Sequence, residues 1–165
     1  MSAPCLTQPK TLDDMLLYRL WQLQSRAGRV VIRLCEDEFS ITRREWRLLA
    51  HLAREEGVLS SQLAERADLD RVRTSRTLGT LERKGLIERT PRPGNRREVC
   101  VRLSESGRAL HAALLPRVAA INQALLGALS QQEAGELEGL LARLHQRAED
   151  MASNCGGDRA ARSAE

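Results

Sequence analysis

Apolar residues recur along this chain at two spacings, one typical of helices and the other typical of strands. From Leu12 to Glu36 they come every three or four residues, which predicts one long amphipathic helix of about six turns. The first ten residues hold two prolines and follow neither spacing. We therefore expect a flexible arm over residues 1–10, followed by a long first helix.

Three shorter helices are predicted between this long helix and residue 85. A capping box at Thr42–Glu45 opens the first of them, because each side chain can accept the other residue's backbone N–H. Ser60 or Ser61 caps the next helix. The last one spans Asp70–Gly85, with Asp as the N-cap and with Gly at a C-terminal position that favours left-handed backbone.

After Gly85 the spacing changes from helical to strand-like. Leu86–Arg89 is a short apolar and polar run, and Val99–Leu103 alternates apolar and polar residues with period two. The segment between them, Pro91–Arg97, is rich in Pro, Gly and Arg. Two strands around such a tip predict a basic β-hairpin.

Two long helices complete the pattern. Ser104 caps the first, which contains Pro116 and is expected to bend there. A second capping box, Ser130–Glu133, opens the last helix. The final segment, residues 152–165, is small and polar, and we expect it to be disordered.

Three short helices followed by a basic β-hairpin are the layout of a winged helix-turn-helix. The predicted fold class is therefore mainly α with a small β-hairpin wing. The long terminal helices carry more apolar surface than this lobe can cover, so a second copy of the chain is expected to cover the rest. The predicted parts are a DNA-binding lobe at 38–103 and dimerisation helices at 11–37 and 104–151.

The charge distribution indicates a polyanionic partner. The whole chain carries a formal charge of +4, but residues 66–97 hold ten Lys or Arg against four acids, or +6. All the remaining residues together therefore carry −2. Concentrated positive charge of this kind is typical of nucleic-acid binding.

The helix over Asp70–Gly85 has two opposite faces. Thr74, Leu78 and Leu81 fall within one arc at 100° per residue and are expected to face the core. The opposite face is basic and has small residues, so it can enter the major groove. The predicted DNA-contacting residues are Arg71, Val72, Arg73, Ser75, Arg76, Thr77 and Thr80 on the helix and Arg92, Asn95, Arg96 and Arg97 on the wing.

Other classes of function find little support in the sequence. Four cysteines lie far apart without a C-x-x-C pair, which argues against a zinc site and a disulfide framework. No nucleophile and base pair, metal cluster or Gly-rich phosphate loop indicates an enzyme or a cofactor. No long apolar run or secretory signal is present, so we expect a cytoplasmic protein without a membrane segment.

Several segments together resemble the MarR family of bacterial regulators. They are Ile41–Ala50, Ser61–Glu65, Thr74–Arg76, Leu81–Arg89 and Val99–Gly107, within a resemblance that covers about residues 12–150. The resemblance implies a homodimer whose two winged lobes bind a near-palindromic operator on double-stranded DNA. It also implies a repressor that is released by a small aromatic or phenolic effector or its coenzyme A thioester.

The wing departs from the family pattern at one position. Family members usually carry Asp-x-Arg there, whereas this chain has Asn95-Arg96-Arg97. The resemblance therefore assigns the minor-groove contact to Arg97. The carboxylate that normally helps to hold a neighbouring Arg is missing.

The mode of regulation has several candidate explanations. In the family the effector lies between the long helices and the winged lobe, and the matching candidates here are Arg19, Leu23, Arg26, Trp46 and His51. The arginines could instead form surface ion pairs, and Trp46 could belong to the core. Peroxide-sensing members have a reactive Cys where this chain has Tyr18, which disfavours a cysteine switch such as one at Cys35. A winged-helix docking module is a further alternative, but its surface would be apolar rather than basic.

Overall fold

The computed structural model describes residues 6–55, 57–66, 69–92 and 94–161, with the backbone alone at residues 95–97 and 155–161. The predicted order of elements is confirmed, with one short strand added. These elements are α1 (Leu16–Arg33), α2 (Arg43–Arg54), β1 (Val58–Leu59), α3 (Ser60–Arg66), α4 (Arg71–Arg83), β2 (Ile87–Arg92), β3 (Asn95–Leu103), α5 (Glu105–Leu126) and α6 (Gln131–Ala161).

The long first helix is present, but both of its ends differ from the prediction. Leu12–Asp14 forms a separate 3₁₀ turn, because the Asp14 carboxylate accepts the backbone N–H groups of Lys10 and Thr11 at 3.0 and 2.9 Å. Met15 is then extended, with ψ 125°, and α1 starts after it. At the other end, Leu34–Glu38 is a π-helical turn, whose wider turn buries both Leu34 and Cys35.

The two predicted capping boxes are confirmed where the sequence places them, whereas Ser60 and Ser61 lie inside α3 rather than before its first turn. The Thr42 hydroxyl accepts the Glu45 N–H at 3.2 Å, and the Glu45 carboxylate accepts the Thr42 N–H at 2.6 Å. Ser130 and Glu133 make the same reciprocal pair at the start of α6. These caps satisfy N–H groups that the first turn of a helix leaves free.

A three-stranded antiparallel sheet, in the order β1-β3-β2, takes the place of the predicted two-stranded hairpin. The added strand, β1, pairs Val58 with Val101 and Leu59 with Cys100. The hairpin itself is confirmed and turns at Gly94, whose φ of +82° favours glycine. β1 therefore joins the segment between α2 and α3 to the wing.

Contacts divide the chain into a first unit that ends at Ile121 and a second that begins at Asn122. The first unit contains one apolar core, built by α2, α3, α4, the sheet and the beginning of α5. Its largest fully buried side chains include Ile41, Leu48, Leu49, Leu52, Leu63, Leu78, Leu81, Leu103 and Leu114. The second unit holds α6 and exposes much of its apolar side-chain surface.

Of the two long C-terminal helices, α5 contains Pro116 within the helix as predicted, and α6 is longer than predicted. α6 continues to Ala161, whereas the sequence predicts a disordered segment from residue 152. The extension contains no proline, and Ser153 donates its hydroxyl back to the carbonyl of Glu149 at 3.0 Å. Among the described helices, α5 is long and apolar enough to cross a membrane, which for a single helix is weak evidence. Leu114 of α5 is fully buried in the core of the first unit.

The start of α5 packs tightly against the end of α4. Ser104 donates its N–H to the Leu86 carbonyl at 3.1 Å and its hydroxyl to the Gly85 carbonyl at 2.6 Å. A Cβ atom built on Gly107 would lie 1.9 Å from the Leu86 carbonyl oxygen. Only a glycine at position 107 allows α5 to approach the turn after α4 this closely.

Gly107→Ala should therefore lower the free energy of unfolding by about 1–3 kcal/mol, because the new methyl group forces the backbone of two elements apart. Urea denaturation at one fixed protein concentration measures the effect. Gly79→Ala is the matched control, since nothing lies within 4 Å of a Cβ at that position. It should raise stability by about 0.5–1 kcal/mol. Equal stability of Gly107→Ala and the unchanged chain would contradict this packing argument.

Candidate nucleic-acid interface

Helix α4 packs against the core along one narrow edge. Asp70 caps it by accepting the Arg73 N–H at 2.8 Å, as the sequence predicts. Thr74, Leu78 and Leu81 face the core and are each at most 1% exposed, which confirms the predicted inward face. The opposite face is therefore turned to solvent.

The solvent face of α4 carries its predicted arginines without partners. No hydrogen bond or ion pair engages the guanidinium groups of Arg71, Arg73 and Arg76 within the described ranges, and all three residues are exposed. Val72 is 59% exposed between them, and Ser75 is exposed as well. An arginine that is already hydrated and unpaired can bind a phosphate or a guanine without first breaking an ion pair.

The threonines of α4 are less available than the sequence suggests. Thr77 donates its hydroxyl to the Arg73 carbonyl at 2.8 Å, and Thr80 donates to the Arg76 carbonyl at 3.2 Å. The Thr80 oxygen also accepts from Arg83 at 3.0 Å. Both side chains are half-buried, so their hydroxyl groups are partly satisfied within the helix.

The wing holds an ion pair that the sequence analysis missed. Arg92 Nη1 lies 2.6 Å from Glu98 Oε2 across the hairpin, and this bond holds the pKa of Arg92 above its usual range. Glu98 follows the basic tip directly in sequence, so its proximity could have signalled the pair. The side chains of Asn95, Arg96 and Arg97 lie outside the described part of the chain, and their predicted contacts stay predictions.

A concave surface flanks α4 on the side of α2. It is formed by the end of α1, the first turn of α2 and the middle of α4, and it includes Arg43, Arg44 and Arg76. The predicted DNA-contacting residues do not include Arg43 and Arg44. Two adjacent arginines in the first turn of a capped helix could have indicated this basic surface. Arg43 packs over Gly28, where a Cβ would lie 2.7 Å from its Nη1 atom.

The candidate effector residues are distributed over different surfaces. Arg19, Leu23 and Arg26 are exposed on α1. Trp46 is 6% exposed, and its ring stacks on His111 at 5.3 Å, which places it in the core. His51 lines a separate cavity of about 350 Å³ with Arg54 and Arg66, among others. This cavity contains none of the other four candidates, and the concave surface beside α4 contains none of the five.

The environment of Cys35 does not favour a thiolate. Cys35 is fully buried, and burial raises the pKa of its thiol. Cys100 is half-buried on β3. Tyr18, which occupies the position of the peroxide-sensing Cys in the resemblance, stacks on Trp21 with ring centroids 5.5 Å apart. These surroundings disfavour a peroxide switch at Cys35, since thiolates rather than thiols react.

Comparisons with known proteins agree with this geometry. The sequence model of the MarR family matches residues 39–98. The HTH-type transcriptional regulator YdcH of Bacillus subtilis is 32% identical over 130 residues, which are 76% of this chain and 85% of that protein. A crystal structure of a probable transcriptional regulator from Pseudomonas aeruginosa is 30% identical, with a TM-score of 0.71 over 81% of this chain and 99% of that one.

Two more distant structures show the same fold. PcaV of Streptomyces coelicolor, solved in complex with its natural ligand, is 24% identical, with a TM-score of 0.71 over 86% of this chain and 99% of that one. MepR of S. aureus, solved as a complex with DNA, is 22% identical, with a TM-score of 0.74 over 80% of this chain and 97% of that one. The predicted winged-helix fold is thus confirmed.

The stack of His111 on Trp46 has a consequence for stability. Burial lowers the pKa of His111, so below about pH 6.5 the unfolded chain binds more protons than the folded chain. The contribution of neutral His111 to the free energy of unfolding should therefore be fully present above this pH. It should be lost as the pH falls below it. His111→Phe keeps a ring against Trp46 but cannot titrate, so its melting temperature should depend less steeply on pH between about pH 7.5 and 5.5. His51, whose pKa is also lowered by burial, keeps its own share of the slope. His145→Gln, at a side chain that is 79% exposed, is the control and should keep the original profile. An unchanged profile in His111→Phe would contradict the assignment.

Proposed function

The chain belongs to the MarR family of transcriptional regulators, and we propose that it acts as a homodimer whose two α4 helices read a near-palindromic operator. The observation that carries this proposal is the row of exposed, unpaired arginines on α4, opposite a fully buried apolar edge. Such a helix presents one face to the major groove while the other keeps it on the protein.

The first turns of α4 make the base contacts in this proposal. Arg73 and Arg76 extend from the exposed face, and each can donate two parallel hydrogen bonds to the O6 and N7 atoms of a guanine. Val72 precedes them on the same exposed face and can contact the methyl group of a thymine. Gly79 has no side chain, so the helix can approach the groove closely. Arg71, Ser75, Thr77 and Thr80 bind phosphates at the edges of the same groove.

The wing binds the backbone or the minor groove beside the helix. Arg97 makes the minor-groove contact that the family resemblance assigns, with Asn95 and Arg96 next to it. Arg92 contributes less, because Glu98 already pairs with it. Contacts of this kind set the register of the protein on DNA and carry little sequence information.

A second copy of the chain covers the exposed apolar side chains of the long helices. Leu17 and Trp21 of α1 are 79% and 57% exposed, which is unusual for large apolar residues along one helix. α5 and α6 add Leu115, Leu125, Leu140, Leu141 and Leu144, each between 43% and 52% exposed. A dimer formed through the helices over 11–37 and 104–151 buries such a surface and also explains why α5 is apolar enough to suggest a membrane helix.

Regulation by a small ligand completes the proposal. We infer a cytoplasmic repressor that a small aromatic or phenolic effector, or its coenzyme A thioester, releases from DNA. The ligand complex of PcaV, a structure with the same fold, supports this part. Arg19, Leu23 and Arg26 belong to the proposed effector surface on α1, whereas Trp46 is packed in the core. An effector identified by a thermal-shift screen should also lower the affinity of the protein for its operator.

DNA binding is tested by titrating the protein against the intergenic duplex upstream of its own gene and against random duplex, at several salt concentrations. The upstream duplex should bind at least about a thousandfold more tightly, and both affinities should fall steeply as salt rises.

Arg76→Ala should weaken the free energy of binding to the upstream duplex by about 1–3 kcal/mol and relax base preference. Arg97→Ala should weaken binding to both duplexes by nearly the same factor. Arg29→Ala on α1 removes the same charge and should change neither affinity. Equal affinity of the unchanged chain for all DNA would refute a specific regulator.

Dimerisation is tested by placing a charge in the exposed stripe of α1. Leu17→Glu should raise the dimer dissociation constant at least about tenfold, because a carboxylate must be desolvated in the interface. Sedimentation analysis over a range of concentrations measures this change. Val72→Glu is the control, since Val72 is also an exposed apolar side chain, 59% exposed, but lies on α4. It should weaken DNA binding and leave the dimer intact. A monomeric unchanged chain, or a Leu17→Glu variant with an unchanged dissociation constant, would contradict the proposed interface.

A further inference from the structure

A buried carboxylate stands at the beginning of α2. Glu45 is 2% exposed, and one of its oxygens accepts the Thr42 N–H at 2.6 Å. Burying a carboxylate costs several kcal/mol unless a cation and further hydrogen bonds compensate for the lost water. The compensating cation is Lys84, whose Nζ atom lies 3.0 Å from the Glu45 carboxylate.

The same ammonium group also binds the corner between α1 and α2. Lys84 Nζ donates to the Ser40 carbonyl at 2.8 Å, across 44 positions of sequence. Ser40 has a φ of +52°, an uncommon conformation for a residue with a side chain, and Ile41 donates its N–H to the Cys35 carbonyl at 3.0 Å. Lys84 therefore joins the end of α4 to the π-helical end of the first long helix and to the first turn of α2.

These bonds argue against a direct contact between Lys84 and a DNA phosphate. Its side chain is 35% exposed, and its ammonium is directed at the protein acceptors Ser40 O and Glu45 rather than outward. It also follows the last residue of α4, whereas the first turns of a recognition helix meet the bases. The residue is thus placed to hold the helix, not to touch DNA.

We propose that Lys84 is a positioning residue for operator recognition, which fixes the recognition helix α4 to the first long helix through Glu45 and Ser40. This inference rests on the proposed function, because α1 belongs to the proposed dimer interface. The contact of Ser104 and Gly107 with Gly85 and Leu86 attaches the same end of α4 to α5. The orientation of α4, and with it the distance between the two recognition helices of a dimer, then depends on both attachments.

Specific and non-specific DNA binding respond differently to such a residue. An operator demands that two helices meet successive major grooves at one fixed spacing, whereas phosphate contacts tolerate small changes of orientation. Loss of a positioning residue therefore lowers affinity for the operator and leaves affinity for random DNA nearly unchanged. Loss of a phosphate-binding lysine lowers both equally.

The test uses a duplex enriched by the unchanged chain from a random-sequence library, together with a scrambled duplex of the same length and base composition. Lys84→Met keeps the aliphatic stem and removes the charge. It should lower the ratio of the two affinities about tenfold, as expected for the loss of charge-assisted hydrogen bonds, while binding to scrambled duplex changes less than about twofold. Circular dichroism must show every variant fully folded at the assay temperature. Hydrogen exchange should become faster at the backbone amides of residues 40–45 and 81–86.

Two further variants separate positioning from general effects. Arg117→Met removes another cation at the same corner, since Arg117 pairs with Glu38 at 2.8 Å without contacting α4, and it should leave the ratio unchanged. The double variant Lys84→Met/Glu45→Gln should be no worse than Lys84→Met alone, because the two side chains act through one contact. If Lys84→Met does not fold, Glu45→Gln alone should lower the ratio in the same direction by about threefold, since its amide retains the helix cap and loses the ion pair.

Each outcome of this experiment is decisive. An equal loss of affinity for both duplexes would make Lys84 a phosphate contact, and an unchanged ratio would give it no role in recognition, so either result overturns the inference alone. Additive effects in the double variant would also overturn it. Failure of the unchanged chain to enrich any sequence would overturn the proposed function first, and this inference with it.

Discussion

Two leucines anchor helix α4 and therefore fix the position of its exposed arginine face. Leu78 and Leu81 are fully buried and are the large apolar anchors of α4 in the core of the winged lobe. A helix that must expose one face to DNA has only a narrow edge left for packing, so that edge needs complete burial. Because the edge is so narrow, polar contacts at the two ends of α4 must fix its direction. Asp70 does this at the beginning, and the bonds around Lys84 and Gly85 do it at the end.

The attachments at the end of α4 differ in physical kind. The ion pair of Lys84 with Glu45 is directional and can be exchanged for water, whereas the contact of Gly107 with Leu86 is steric and allows no alternative. Loss of the ion pair would therefore leave α4 attached to α5 but without its contact to the residues around Ser40 and Glu45.

Local signals in the sequence were sufficient for the fold. Helix caps such as Thr42 with Glu45 act over three residues, and the apolar spacing of each helix acts over a few turns, so both are readable from the chain alone. The core face and the exposed arginine face of α4 followed from the same spacing. Non-local contacts were missed, because no periodicity encodes them. β1 pairs with a strand more than 40 residues further along the chain, and Lys84 reaches Ser40 across a similar separation. The stack of Trp46 on His111 was equally invisible, which is why Trp46 was open to interpretation as an effector ligand.

The pair of Arg92 with Glu98 changes how the charge of the wing is counted. A formal sum over residues 66–97 treats Arg92 as a full cation, although its carboxylate partner is the next residue beyond that range. A paired arginine that moves onto a phosphate must release its carboxylate, so it displaces fewer counterions from DNA than a free arginine does. In the proposed complex with DNA, Arg92 should therefore contribute less to the salt dependence of binding than an unpaired arginine of α4 does.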